Sequence, residues 1–179
     1  MLGWRILASG EYMLDLPALS RDEEDLVLAT QERYKEATRA KQDQDGETLI
    51  KTILDSVAKE RNIYLEKKQE GYLKRIAAMH IYGFAFLEPI LQDHTVEEIS
   101  IIGPNRPAHV YIRKYGWKSV NACFTDDKAI GEMINKMARG LGRHITMQNP
   151  RLDAMLPDGS RVNASLPPVS NGEITLRRF

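Results

Sequence analysis

The sequence predicts an α+β fold, in which a helical bundle precedes a mostly antiparallel sheet with one packed helix. Three features of the 179-residue chain support this. Apolar residues recur at helical spacing over 1–80, short β-rich runs separated by turn residues follow, and apolar and polar residues alternate over 151–179. Because helices and strands are segregated along the chain, the pattern favours α+β over alternating α/β folds. The predicted domains are the bundle at 1–80 and the sheet domain at 81–179.

Three helices are predicted in the bundle. Ser20 and Glu23 have capping-box spacing, so the first helix should begin there and run to about Ala40. A polar break at 41–46 and a second break at Asn62 separate it from two further apolar stripes at helical spacing. These stripes comprise Leu49, Ile50, Ile53, Leu54 and Val57, and then Leu65, Tyr72, Leu73, Ile76 and Ala77. Residues 1–19 are ambiguous, apart from one short strand around 11–16.

The predicted sheet domain begins with a short helical segment at 84–91, followed by strands bounded by turn residues. The first three strands are predicted at 98–102, 108–113 and 117–124. Thr125, Asp126 and Asp127 should then cap a helix with an apolar side, and Gly140 and Gly142 should end it. The apolar side consists of Ile130, Met133, Ile134, Met137 and Leu141.

The stretch Arg151–Phe179 predicts a β-hairpin and one further strand. Two alternating runs are separated by Pro157-Asp158-Gly159-Ser160, since Pro presets φ and Gly accepts a positive φ. Pro167-Pro168 should stop the second strand, because neither residue can donate a ladder hydrogen bond. A third run at 174–177 completes the chain.

This alternation places Arg151, Arg161 and Arg177 opposite the core side of their strands. If the strands are neighbours, three guanidinium groups share one face. A guanidinium offers a planar fork of donors that suits phosphate oxygens, so one interpretation is an anion-binding face. The other is an ordinary solvated outer face, and spacing alone leaves both open.

Composition limits the classes of function. Acidic and basic residues balance at 25 each, and the isoelectric point near 6.9 does not favour a nucleic-acid-binding protein. No apolar run is long enough to predict a membrane span, and the N-terminus lacks the pattern of a signal peptide. The single Cys123 is predicted to be a small buried side chain.

The sequence contains no motif that would by itself indicate a catalytic, metal-binding or nucleotide-binding site. It contains no G-x-x-x-x-G-K-[ST] phosphate loop, and Gly140-Leu141-Gly142 is interpreted as a helix end. The four histidines have no metal-ligand spacing, so no metal site and no catalytic residue are predicted. Glu97 and Glu98 are consecutive in a strand and should point to opposite faces.

Several segments together resemble the N-terminal domain of type II/IV secretion-superfamily ATPases, and most closely the archaeal archaellum and type IV pilus assembly ATPases. The resemblance covers residues 72–179. The segments that carry it are Gly83–Asp93, Val96–Gly103, Val110–Arg113 with Tyr115-Gly116, Arg151–Asn163, Pro167-Pro168 and Ile174–Phe179.

The resemblance implies a PAS-like domain of a hexameric cytoplasmic motor peripheral to the inner face of the cell membrane. In this family ATP and Mg bind between the N-terminal domain and a RecA-like domain that supplies the phosphate loop. The N-terminal domain supplies arginines that approach the phosphates. By motif match these are Arg161 and Arg177, with Arg151 and Arg143 as weaker candidates. The implied partners are the RecA-like domain in cis, neighbouring subunits and a polytopic membrane platform protein, and not nucleic acid.

Because the sequence ends where the linker to the ATPase domain should follow, we expect an excised domain that binds no cofactor and hydrolyses no ATP alone. Its parent should be an ATPase. The alternative is a self-contained protein-interaction module without a nucleotide role. Exposed residues of the predicted Ser20–Ala40 helix are expected to contribute to docking on the platform protein.

Overall fold

The computed structural model describes residues 4–7, 10–40 and 45–178, with the side chains of residues 39 and 40 left out. The chain forms two compact units, Met1–Asp15 with Pro89–Phe179, and Leu16–Glu88. The predicted α+β class is confirmed, with an N-terminal helical segment and a later antiparallel sheet. In the described part of the chain, no helix combines the length and the apolar composition needed to cross a membrane.

The unit Leu16–Glu88 is a three-helix bundle of α1 (Arg21–Ala40), α2 (Gly46–Glu60) and α3 (Lys67–Ile81). The predicted capping box is present, since Ser20 N donates to Glu23 Oε2 at 2.8 Å and Glu23 N donates to Ser20 Oγ at 3.3 Å. Residues 41–44 of the predicted polar break lie outside the described residues. The buried core of the bundle consists of Leu26, Val27, Ile50, Ile53, Leu54, Val57, Ala58, Leu73, Ile76 and Ala77.

The other unit contains a six-stranded antiparallel sheet. Its strands are β3 (Val96–Ile102), β4 (His109–Ile112), β5 (Gly116–Ser119), β6 (Arg151–Met155), β7 (Arg161–Ser165) and β8 (Glu173–Arg177). Their spatial order is β5-β4-β3-β8-β7-β6. The chain therefore returns after β7 to place β8 in the centre of the sheet, beside β3.

The N-terminal residues belong to the sheet unit, although the predicted division assigned 1–80 to the bundle. Strands β1 (Trp4–Ile6) and β2 (Tyr12–Leu14) form a small hairpin, of which the sequence predicted only the second strand. Tyr12 is fully buried, and its hydroxyl donates to Asp93 Oδ2 at 2.9 Å. Burial and this hydrogen bond raise the pKa of the Tyr12 phenol above its usual value. These contacts explain why the first residues group with the sheet.

Two helices belong to or border the sheet unit, α4 (Leu87–Gln92) and α5 (Asp127–Gly140). Asp126 is the residue that caps α5, since its Oδ1 accepts from Ala129 N at 2.7 Å. Helix α5 buries Ile130, Met133, Ile134, Met137 and Ala138. It approaches the β7–β8 connection closely, because a Cβ on Gly172 would lie 2.8 Å from Ile130 Cγ2.

Two predictions for the segment 117–124 are wrong. Strand β5 ends at Ser119 rather than at Phe124, because Val120 leaves the ladder and forms a parallel bridge with Tyr12. Cys123 is exposed rather than buried, since it follows the end of this strand.

Candidate functional site

One residue from each strand forms a row across the exposed face of the six-stranded sheet. Cα pairing in the five ladders defines this row. In spatial order it contains Trp117, Tyr111, Glu98, Arg177, Arg161 and Met155. The row thus passes from two aromatic rings through a carboxylate to two guanidinium groups.

Alternation along the strands explains why the arginines lie on this face. Leu176 and Val162 are neighbours of Arg177 and Arg161 in sequence, pair with each other across β8 and β7, and are buried. Because successive side chains point to opposite sides of a sheet, burying the apolar pair exposes the arginine pair. The prediction that Arg151, Arg161 and Arg177 share one face is therefore met by the strand order β8-β7-β6.

Arg161 is held by a forked ion pair with Asp153. Its Nε donates to Oδ1 at 2.9 Å and its Nη2 donates to Oδ2 at 2.8 Å. The Arg161 hydrogen bonds lower the pKa of the Asp153 carboxyl, and Asp153 raises the pKa of Arg161. The side chains are 55% and 49% exposed, so solvent screens this attraction. The pair fixes the guanidinium without burying it.

Arg143 lies beside this ion pair. Its Nη1 donates to the backbone oxygen of Asp153 at 2.7 Å, and its charge adds to the lowering of the Asp153 pKa. Asp153 thus joins Arg143 to Arg161, although the two arginines are far apart in sequence.

Arg177 is held more loosely than Arg161. It pairs with the carboxylate of Glu98 on the neighbouring strand, with 3.9 Å between Arg177 Nε and Glu98 Oε2. Arg177 and Arg161 are directly opposite each other, and like charges in that position destabilise a sheet. Asp153 and Glu98 offset this repulsion from either side of the arginine pair.

Arg151 lies on the same face at the other end of β6, opposite Ser165. It is exposed and, among the described residues, forms no ion pair. Three residues of an extended strand separate it from Met155, the β6 member of the row. The structure therefore brings together Arg161, Arg177 and Arg143, and leaves Arg151 on the same face but apart from them.

A cleft of ≈ 900 Å³ lies at the aromatic end of the row. It is lined by His94, Val96, Glu97, Glu98, Tyr111, Arg113, Trp117, Arg177 and Arg178. Sequence reasoning missed this cleft, because its residues come from strands whose order was not predicted. The sequence signal that could have indicated the cleft is Trp117, a large aromatic residue in a short strand with charged residues nearby.

A strand irregularity shapes the cleft and corrects one prediction. The ladder between β3 and β4 shifts register between Val96 and Glu98, so strict alternation fails there. Glu97 and Glu98 consequently both line the cleft, instead of pointing to opposite faces. Glu97 pairs with Arg113 at 2.6 Å.

Within residues 4–7, 10–40 and 45–178, the structure contains no group of three or more His, Cys, Asp or Glu side chains that could hold a metal ion. The residues on the exposed face offer guanidinium donors, carboxylate acceptors and aromatic surface. This set is suited to binding an anionic ligand with a planar group.

No family model matches the chain. It is similar to three proteins of Methanocaldococcus jannaschii, each described as an uncharacterized protein. One is 29% identical over 154 residues, covering 86% of this chain and 53% of that protein. A second is 34% identical, and the match covers 46% of this chain and 15% of that protein. A third is 38% identical, and the match covers 52% of this chain and 13% of that protein. This chain therefore spans about half of the first relative and a small part of the others.

A similarity to a solved structure covers 52% of this chain. The crystal structure of the VirB11 ATPase from the Brucella suis type IV secretion system, in complex with sulphate, matches with a TM-score of 0.44 and 23% sequence identity. The match covers 29% of that chain.

Proposed function

We propose that this chain is the N-terminal domain of a secretion-superfamily ATPase, and that Arg161 and Arg177 contact the phosphates of ATP held by a phosphate loop outside it. The observation that carries the proposal is the direct pairing of these two arginines on an exposed sheet face. The motif resemblance over residues 72–179 supports the same assignment.

The chemistry required of the arginines is electrostatic. Negative charge spreads over the equatorial oxygens when a phosphoryl group is transferred, and guanidinium donors placed there stabilise it. Arg161 is oriented by Asp153 but remains solvent-accessible, so phosphate oxygens can replace the carboxylate as its partner. Among the residues that the structure describes, the Arg177 guanidinium has one ion pair, the 3.9 Å contact to Glu98, so its donors are available to a ligand.

In this proposal two domains each supply part of the ATP site. With the phosphate loop on a RecA-like domain and the arginines on this one, ATP hydrolysis depends on the closing of two domains. A hexamer of such subunits at the inner face of the membrane would convert this closing into motion. The bundle unit is proposed to dock on a polytopic platform protein through exposed residues of α1.

The experiment is steady-state ATP hydrolysis by the parent protein carrying Arg161→Ala or Arg177→Ala. Since an arginine at a transferring phosphoryl group contributes about 10³–10⁵ in rate, each variant should lose at least tenfold in kcat. The matched control is Arg5→Ala, which removes an exposed arginine of the same unit that lies outside the row. Unchanged kcat in both row variants, with the hexamer intact by sizing, would contradict the proposal.

A further inference from the structure

Buried polar contacts connect the N-terminal hairpin of β1 and β2 to the end of β8. We propose that Tyr12 and Asp93, acting through Arg178, are positioning residues that set where Arg177 lies relative to the phosphates. This inference rests on the proposed function and deepens it, because it makes the hairpin a determinant of the rate at the same site.

Asp93 is a buried carboxylate, and both of its oxygens accept hydrogen bonds. It is 4% exposed and follows α4 directly. Its Oδ2 accepts from the Tyr12 hydroxyl at 2.9 Å. Its Oδ1 accepts from Thr95 N at 2.9 Å and from Thr95 Oγ1 at 2.8 Å. A buried charge that loses a donor keeps an unsatisfied acceptor, so Asp93 should shift when the Tyr12 hydroxyl is removed.

Arg178 anchors the end of β8 on Asp93. Its Nη1 donates to the backbone oxygen of Asp93 at 2.5 Å, and its backbone N donates to the backbone oxygen of Glu97 at 2.8 Å. Tyr12 lies 81 residues before Asp93, and Arg178 lies 85 residues after it. Because Tyr12 contacts the side chain of Asp93 and Arg178 contacts its backbone, this one residue joins the N-terminal hairpin to the end of β8.

Arg177 depends on this anchor because its own side chain is loosely held. It directly precedes Arg178, and among the described residues its guanidinium has one ion pair, the 3.9 Å contact to Glu98. The backbone at the end of β8 therefore largely determines where this guanidinium lies. Since a misplacement of about 1 Å can lower a rate about 100-fold, a small shift at Arg178 is enough to change catalysis.

Steady-state ATP hydrolysis by the parent protein tests the inference with Tyr12→Phe, which removes one hydroxyl and keeps the buried ring. We expect kcat to fall about tenfold and KM to stay within about twofold, because Arg177 is proposed to act on the transition state. Asp93→Asn, which replaces a buried acceptor with a donor, should act in the same direction. The matched control is Asp15→Asn, the same change at an exposed carboxyl of the same unit, and it should leave kcat unchanged.

A double variant separates a positioning role from a general loss of stability. If Tyr12 acts through Arg177, then Tyr12→Phe should have little further effect once Arg177 is replaced by alanine. The double variant should therefore have a kcat within about twofold of that of Arg177→Ala. Losses that multiply would show that Tyr12 affects the rate by another route, and would overturn the inference.

Nuclear magnetic resonance of the 179-residue chain checks the physical link without any nucleotide. Tyr12→Phe should shift the Nε–H signals of Arg177 and Arg178. The Nε–H signal of Arg161, which donates to Asp153, should stay unmoved and serves as the internal control. Unmoved signals of both Arg177 and Arg178 would show that the hairpin does not act on the end of β8, and would overturn the inference.

The outcomes separate this inference from the proposed function. If Arg177→Ala lowers kcat and Tyr12→Phe does not, the positioning role is wrong and the phosphate role of Arg177 stands. If Arg177→Ala leaves kcat unchanged, the proposed function fails for Arg177, and the positioning role fails with it even where Tyr12→Phe shifts the Arg177 signal.

Discussion

At the scale of single residues, the state of Arg161 is central to the account. Its forked pair with Asp153 is exposed, so solvent screens the attraction and little folding stability depends on it. The pair nevertheless restricts the guanidinium to one orientation. In the proposed function, Asp153 would be a positioning residue that orients Arg161 until a phosphate replaces the carboxylate.

The Asp153 carboxyl gives a prediction about pH. Arg161 lowers its pKa in the folded chain, so the pair stabilises the fold above the unfolded pKa of about 4, and this contribution is lost as pH falls through the folded value. We expect the carboxyl carbon of Asp153 to titrate below the usual range. In the Arg161→Lys variant, which loses the fork but keeps a charge, the midpoint should move part of the way back.

Arg161→Ala should move the Asp153 midpoint further than Arg161→Lys does. The titration is followed by carbon-detected nuclear magnetic resonance. An Asp153 midpoint that is the same in all three proteins would show that the ion pair does not form in solution.

Side-chain direction was predictable from the sequence wherever strands are regular. Alternation placed Arg151, Arg161 and Arg177 on the face opposite the core, which the structure confirms. It failed for Glu97 and Glu98, because the register shift after Val96 interrupts the alternation. Bulges depend on the partner strand, which local spacing does not reveal.

At the scale of secondary-structure elements, the packing of α5 against the β7–β8 connection gives a second prediction. Gly172 has φ +89°, and an added Cβ would lie 2.8 Å from Ile130 Cγ2. Gly172→Ala should therefore lower the free energy of unfolding by more than about 1 kcal/mol, through both strain and overpacking.

The matched control for Gly172→Ala is Gly140→Ala at the end of α5. No atom lies within 4 Å of an added Cβ there, and helix propensity favours alanine. We expect an unchanged or slightly raised free energy of unfolding, measured by urea denaturation. Equal effects of the two substitutions would show that α5 does not pack against Gly172.

Helix α1 gives a prediction for the proposed docking. Leu28 is 48% exposed, and Glu24 and Glu32 lie one helical turn to either side of it. Burying a leucine contributes about 1.5–3 kcal/mol, so Leu28→Ala should weaken binding of the platform protein about tenfold or more. Binding is measured with the detergent-solubilised platform protein.

Tyr64→Ala is the control for Leu28→Ala, because Tyr64 is an exposed apolar residue of the same unit outside α1. It should bind as the unsubstituted protein does. Equal affinity of the Leu28→Ala variant, with its helix content unchanged, would remove α1 from the docking surface. Deleting residues 1–45 is a poorer test, since it also removes the buried Tyr12 from the sheet unit.

Most elements were predictable because local chemistry defines them. The capping box at Ser20 and the turn around Gly159 define α1 and the β6–β7 hairpin directly. The early end of β5 was not predictable, since it follows from the long-range bridge between Val120 and Tyr12. The spatial order of the strands, and hence the cleft, depends on β8 pairing with β3.

At the scale of the whole molecule, the two units suggest different tasks. The sheet unit carries the arginine row and the cleft, whereas the bundle exposes the apolar and acidic face of α1. The proposed function places the phosphate loop on a second domain. We accordingly expect the reading frame of the parent protein to encode G-x-x-x-x-G-K-[ST] within about 100 residues after Phe179, the typical scale of one domain.

The most direct measurement is a structure of the parent protein with Mg and a non-hydrolysable ATP analogue. The account predicts that guanidinium nitrogens of Arg161 and Arg177 lie about 2.7–2.9 Å from phosphate oxygens, and that Arg161 has released Asp153. A bound nucleotide with Arg161 still paired to Asp153, and with both arginines out of hydrogen-bonding reach of the phosphates, would contradict it.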